Sequence, residues 1–501
     1  MRKYLLASAA VLGAASWLPQ AHAQTLPSNP VTGTVVEVPK SWSHGAVPTL
    51  PSASPPAGAN NNNNTAVVPG PGAVANPTPG TVVIHINGRV TTGLYATWSS
   101  LDKGTFPAVT GVGGATLTPA GSYKVQPTNL ATYARLYTGM DGMAANGLRY
   151  GGAIEVRENF TGQSTSTVST GASGYSSSQT LYVRRAFAYV AADNVGLVRV
   201  GQADGLISLY DNGVTTFQFL PSGNLNGGDL EGMVMGNATI PYAFSAVAGN
   251  EYDNNKIVYM SPQFYGFDVG LQWAPNTSNG YGTGVGNAYG VVAGCPYASS
   301  GCPGLSSSSV AADGARTINQ TAVGVRYQGK FSGVGLLAYG VYEFSGKVNY
   351  TGPVTPSTIL YNSLNFYNAG VAVTYAGFTI GGNYAGGAAN GQLAPKPAGG
   401  ANLNAWTAGM TYKTGPLLVG VVGEVIDSQG AVTLAGKTQR REYAIDAGAS
   451  YVIAPGLVGW AEYMYQNRKQ SGFNFATGAA GSSAYNTVQS QGIQIGTTVY
   501  W

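Results

Sequence analysis

The sequence predicts a sixteen-stranded antiparallel transmembrane β-barrel, preceded by a proline-rich segment without a fold of its own. Three observations lead there. Charged residues make up only 9% of the 501 residues, against ~25% in ordinary globular domains. From Thr81 onward, apolar and polar side chains alternate along short runs, the period of a strand with one greasy and one wet face. The connections between those runs are alternately short and long, as in a barrel whose turns lie on one side of a membrane and whose loops lie on the other.

At the amino terminus, Arg2 and Lys3 form a basic stretch, residues 4–18 a short apolar run, and Ala21-His22-Ala23 a small-residue cleavage site. Residues 1–23 therefore read as a secretory signal peptide, cut before Gln24. A retained anchor is disfavoured, because the run falls short of the ~20 residues a spanning helix needs. No later stretch of that length escapes Gly, Asn, Ser or charge. Any membrane passage must then be made by a closed barrel, whose backbone groups all find partners. The net charge of +4 includes Arg2 and Lys3, so the mature chain is nearly neutral and nothing points to a nucleic-acid partner.

Residues 24–80 differ from all that follows. Prolines recur from Pro27 to Pro79, and residues 60–64 are five successive asparagines. We find no apolar periodicity there and expect a disordered periplasmic extension.

The barrel is expected over residues 81–501. Its first strand is the clearest: Val82, Ile84, Ile86, Val90, Leu94, Ala96 and Trp98 alternate with His85, Asn87, Arg89, Thr91, Tyr95 and Thr97. Period-two runs bounded by turn signals follow at 131–140, 146–159, 180–192, 196–203 and 254–262. Further runs lie at 266–275, 317–328, 333–345, 363–375, 376–385 and 402–413, and the last at 416–427, 441–453, 456–467 and 488–501. The sum is sixteen, an even number as bacterial single-chain barrels show. Short connections fall at 141–146, 193–196, 262–266, 328–333, 375–377, 413–415 and 454–456, with long ones interleaved. Both ends of such a barrel lie on the turn side. A soluble sandwich also has many short strands, but it explains neither the loop asymmetry nor the low charge.

The last strand, Gln491-Gly-Ile-Gln-Ile-Gly-Thr-Thr-Val-Tyr-Trp501, puts Ile493, Ile495, Val499 and Trp501 on one side and Gln494, Thr498 and Tyr500 on the other. It resembles the final strand of Gram-negative outer-membrane barrels, which implies recognition by the barrel-assembly machinery; that group most often ends in Phe, where this chain has Trp501. The 32 tyrosines suit two interfacial girdles, and the 73 glycines suit turns and curved strands.

Sixteen strands enclose more space than their side chains fill, so the interior holds water. What narrows that lumen decides what passes. The longest loop, 204–253, follows the fifth strand and opens with apolar positions that can pack on an inner wall.

Two motifs carry a more specific resemblance. The run Asp193-Asn-Val-Gly-Leu-Val-Arg-Val-Gly-Gln202 leads straight into that loop, and Tyr259-Met-Ser-Pro-Gln-Phe-Tyr-Gly-Phe267 turns sharply at Ser-Pro. Both are similar to the general porins of Gram-negative outer membranes, over residues 81–501. The resemblance implies passive diffusion of small hydrophilic solutes and ions, a homotrimer embedded in outer-membrane lipid and lipopolysaccharide, and no enzymatic step. It also implies an eyelet in which acidic residues of the constriction loop face basic residues of the wall. The acidic candidates are Asp204, Asp211, Asp229 and Glu231. The basic candidates, which alternation places inward, are Arg89, Arg135, Arg149 and Arg157, with either Arg184 or Arg185. A charge facing lipid at mid-depth costs ~2–4 kcal/mol, which favours inward placement of arginines in mid-strand. Glu155 shares the face of Arg157 and is expected to hold it. Lys256, Arg326, Asp446 and Glu462 read as lumenal but peripheral to the eyelet.

Cys295 and Cys302 lie in a Gly/Pro/Ser-rich stretch, and an oxidising periplasm favours a disulfide between them. A metal or other cofactor is not expected: only His44 and His85 remain after cleavage. An outer-membrane hydrolase would need an acid–base constellation near the loops, and His85 sits toward the turn side. A substrate-selective channel for sugars or anions, or a surface receptor or adhesin barrel, is the alternative function.

Overall fold

A computed structural model of the chain describes residues 77–106, 109–110, 116–118, 121–124, 127–158, 181–192, 195–211, 255–276, 315–316, 318–346, 349–350, 360–389, 396–430, 438–475, 479–481 and 485–501. Sixteen strands form one closed antiparallel ring in which each strand pairs with its neighbours in the chain. The first five are β1 (Thr81–Ser99), β2 (Thr128–Met143), β3 (Arg149–Glu158), β4 (Leu181–Ala192) and β5 (Gly196–Gln202). A short helix, α1 (Leu206–Tyr210), follows β5 directly. The next strands are β6 (Asn255–Met260), β7 (Phe267–Asn276), β8 (Ile318–Phe331), β9 (Val334–Phe344), β10 (Asn365–Tyr375) and β11 (Phe378–Ala388). The ring is completed by β12 (Leu403–Thr414), β13 (Leu417–Ser428), β14 (Arg440–Ala454), β15 (Leu457–Gln470) and β16 (Thr487–Tyr500).

The sixteen expected strands are the sixteen of the ring, displaced by a few residues at their ends. The largest displacements are of three residues, at both ends of β2, at the start of β3 and at the ends of β8, β11 and β15. The hairpin ladder of β1 and β2 continues beyond the ring as a ribbon pairing Lys103–Phe106 with Gly121–Lys124. Continuing an antiparallel ladder satisfies backbone groups that a bare loop would leave to water.

Short turns are set by backbone sign. In Ser332-Gly333 and Ala376-Gly377 both residues have positive φ, the left-handed pair that lets two residues join strands of right-handed twist. Glycine in second place avoids the Cβ clash of that conformation.

Alternation sorts the two faces. On β16, Ile493, Ile495 and Val499 are exposed while Gln494, Thr498 and Tyr500 are buried toward the lumen. The outer face carries aromatic pairs at two heights. Near the turns, Phe267 meets Tyr327 at 4.7 Å and Phe378 meets Tyr412 at 4.4 Å. Near the loops, Tyr384 meets Trp406 at 4.3 Å and Tyr342 meets Phe344 at 5.6 Å. These two rings of amphipathic side chains are the interfacial girdles of a lipid-embedded barrel. No described helix is long and apolar enough to cross a membrane; strands do the crossing.

Candidate functional site: a lumenal belt and two charged walls

Residues 203–211 leave β5 and run sideways across the inner wall as a belt. Every side chain of α1 is buried, although the helix has only five residues and no side-chain cap at its start. Such a short helix does not persist alone; the wall holds it. Glycines make the room. A Cβ on Gly270 of β7 would lie 2.5 Å from the Leu206 side chain and 2.8 Å from the Tyr210 hydroxyl. A Cβ on Gly324 of β8 would lie 3.0 Å from the Tyr210 ring.

Polar side chains from successive strands fasten the belt. From β4, the buried Arg185 ion-pairs through one nitrogen with Glu155 of β3 and through another, at 2.6 Å, with Asp204. Arg199 of β5 donates to the Asp204 carbonyl, and Lys256 of β6 donates to the Ala203 carbonyl at 2.7 Å. The Leu206 N–H donates to Gln272 of β7 at 2.7 Å, which satisfies one of the open donors at the helix start. Arg326 of β8 grips Asp268 at 3.0 Å through two nitrogens, and its guanidinium lies 4.8 Å over the Tyr210 ring. At the far end, Asn383 of β11 donates to Asp211 at 3.1 Å. Tyr339 of β9 donates to Asn368 and stands 3.5 Å from Asp211. The belt thus touches the wall from β4 to β11.

Asp204 and Asp211 are therefore placed as fasteners, each engaged with the wall. Asp229, Glu231, Cys295 and Cys302 lie outside the described residues. Glu155, expected to hold Arg157, takes Arg185 on the neighbouring strand; the Arg157 side chain is outside the described set. The choice between Arg184 and Arg185 is resolved by a bulge. The ladder steps from Glu155–Arg185 to Val156–Val183 and passes over Arg184. The extra residue shifts the alternation, so Val183 faces outward while Arg185, in phase with Phe187 and Tyr189, is inward and buried.

Arg89 and Arg149 are buried on the inner face, and Arg135 is half-buried there. Arg89, Arg135 and Arg157 stand in register on β1, β2 and β3.

A second charged wall spans β13 to β15. Glu424, Glu442, Asp446 and Glu462 are all buried on its inner face. Gln494 of β16 donates to Glu462. Arg440 and Arg468 stand 3.9 and 3.7 Å from Glu442. Asp446 Oδ1 takes no hydrogen bond among the described residues. Glu424 and Glu442 were not among the sequence candidates, although alternation within β13 and β14 marks both as inward. The belt's wall partners Arg199, Gln272, Tyr339 and Asn383 were missed as well, because only the path of the loop reveals their use.

A family profile for Gram-negative porins matches residues 72–471. Among solved structures, an anion-selective porin from Comamonas acidovorans is 15% identical, with a TM-score of 0.46, covering 84% of this chain and 100% of its own. The outer-membrane expressed OmpT of Vibrio cholerae is 13% identical, with a TM-score of 0.43, covering 85% of this chain and 100% of its own. A mutant of the Rhodopseudomonas blastica porin is 13% identical, with a TM-score of 0.41, covering 84% and 100%. No curated protein matches. With the profile spanning most of the closed ring and its lumenal belt, the chain belongs to the Gram-negative porin family and is an outer-membrane channel.

Proposed function

We propose that this porin is a general diffusion channel for small hydrophilic solutes and ions, that it works as a homotrimer, and that it carries out no catalytic step. The observation that supports it best is the belt: a segment fastened along the inside of the ring from β4 to β11, where it narrows the lumen. Arg89, Arg135 and Arg157, with Arg149, form the basic pole of the passage. Glu424, Asp446 and Glu462 form the acidic pole, to which Asp229 and Glu231 contribute from the loop. Opposed charges across a narrow wet gap produce a transverse field that orients dipolar solutes and weighs cations against anions. Residues 1–23 are the export signal, and Cys295 and Cys302 pin their loop as a disulfide.

Purified protein in planar bilayers should give discrete conductance steps, and liposomes containing it should pass small neutral sugars. Silent bilayers together with sugar-tight liposomes would overturn this reading.

A further inference from the structure

The outer face departs from its own rule in one place. Among the described side chains of the sixteen strands, the charged ones stand on the inward phase of the alternation, apart from Asp427 on β13, Arg441 on β14 and Lys469 on β15. An outward charge costs ~2–4 kcal/mol at mid-depth and falls to ~0–1 kcal/mol only near the interfaces, so lipid should remove such residues or scatter them. Here they are gathered instead. Asp427 is the register partner of Arg441, and Arg441 is the register partner of Lys469.

The three side chains are engaged unequally. Arg441 Nε and Nη2 donate to the two oxygens of Asp427 at 2.8 and 2.9 Å, a fork that fixes the guanidinium plane. A guanidinium carries more donors than that fork uses, and the Arg441 side chain is 66% exposed. Lys469 is exposed and meets no acceptor among the described residues. One carboxylate against two cations leaves a single positive charge on the patch. In-register side chains start about 4.5–5.5 Å apart at Cβ, so both cations reach one anion of phosphate size.

Height identifies the anion. Asp427, Arg441 and Lys469 lie at the loop ends of their strands, and the long loops of an outer-membrane barrel face the outside. Two residues below Arg441, about 7 Å along the strand, Tyr443 faces outward and meets Tyr465 of β15 at 6.0 Å. Outward tyrosines sit at the edge of the hydrocarbon, which puts the charged row level with the lipid headgroups just above. We propose that Arg441 and Lys469 seat the phosphate of a glycolipid in the outer leaflet. Its acyl chains run down the exposed Tyr443, Ile445 and Tyr463 below them.

The test titrates the folded full-length protein, in detergent and stripped of native lipid, with diphosphorylated lipid A and counts bound lipid by native mass spectrometry. The parent should hold this lipid about tenfold more tightly than an Arg441→Gln, Lys469→Gln variant. Lys330→Gln, at the turn end of β8, should match the parent. Lys469→Gln alone keeps the Arg441–Asp427 pair, and it should lose about threefold. The same lipid without its phosphates should bind the parent and the double variant alike. Equal retention of lipid A by the parent and both variants overturns the proposal, as does equal retention of the phosphorylated and dephosphorylated lipids by the parent. Complete displacement by millimolar inorganic phosphate would make the patch a free-anion site. An oligomer that dissociates in the double variant with lipid retention unchanged would assign the patch to a second copy. Either result overturns it. Conductance is read separately, so failure here leaves the channel reading standing.

Discussion

The inner wall from β4 to β11 and the inner wall from β13 to β15 obey the same alternation and yet use their polar residues differently. On the first, Arg185, Arg199, Lys256, Gln272, Arg326 and Asn383 each meet the belt. On the second, Glu424, Asp446 and Glu462 are buried carboxylates on the inner face, and Gln494 of the neighbouring strand donates to Glu462. A lumenal charge is thus either a structural clamp or a feature of the field, and its partner decides which. Burial alone does not distinguish them, since both sets are buried.

The sharpest way to break this contrast is to deny the belt its seat. Gly270→Phe puts a ring where even a Cβ lies 2.5 Å from Leu206. We expect the belt to leave the wall and single-channel conductance to change by roughly twofold or more, because the constriction dominates flow. Gly340→Ala is the control, since nothing lies within 4 Å of the added carbon. Identical conductance in both variants would separate the belt from the constriction.

Arg185→Met comes next. It takes from Glu155 and Asp204 their shared ion-pair partner, and removing one partner from a buried pair costs about 3–5 kcal/mol. Denaturant unfolding in lipid vesicles should show that loss, accompanied by noisier open-channel current. A variant as stable as the parent would mean that Arg185 is no clamp.

On the opposite wall, Asp446→Asn with Glu462→Gln should leave unfolding nearly unchanged and lower the cation-to-anion permeability ratio by roughly twofold. Asp229→Asn with Glu231→Gln should move it in the same direction. Reversal potentials under a salt gradient read both, and an unmoved potential removes the pair concerned from the acidic pole. The smallest effect is expected for Tyr339→Phe. It deletes one donated hydrogen bond, worth about 1 kcal/mol, with the conductance unaltered.

The ring was legible in the sequence because lipid imposes its rule on every residue of a spanning strand. A single misplaced charge is costly, so the pattern in β1 or β16 stays clean enough to read by eye. The lumen imposes no comparable rule. Asp204 and Asp446 are both acidic residues with an inward address, and nothing near either in the chain tells a clamp from a pole. What separates them, Arg185 for one and, among the described residues, no hydrogen bond at Oδ1 for the other, is set by contacts far away in the chain. Arg184 and Arg185 show the limit most plainly: a bulge opposite the step from Glu155 to Val156 puts Val183 and Arg185 on opposite faces, and alternation counts cannot foresee an extra residue.

The clamp on Asp204 also bears on how the pore responds to voltage. A full elementary charge crossing 100 mV gains ~2.3 kcal/mol, and Asp204 could sample only a fraction of that drop. Tearing it from Arg185 costs more, about 3–5 kcal/mol. At such potentials the belt should stay seated, and the channel should remain open with a current that rises in proportion to the applied field.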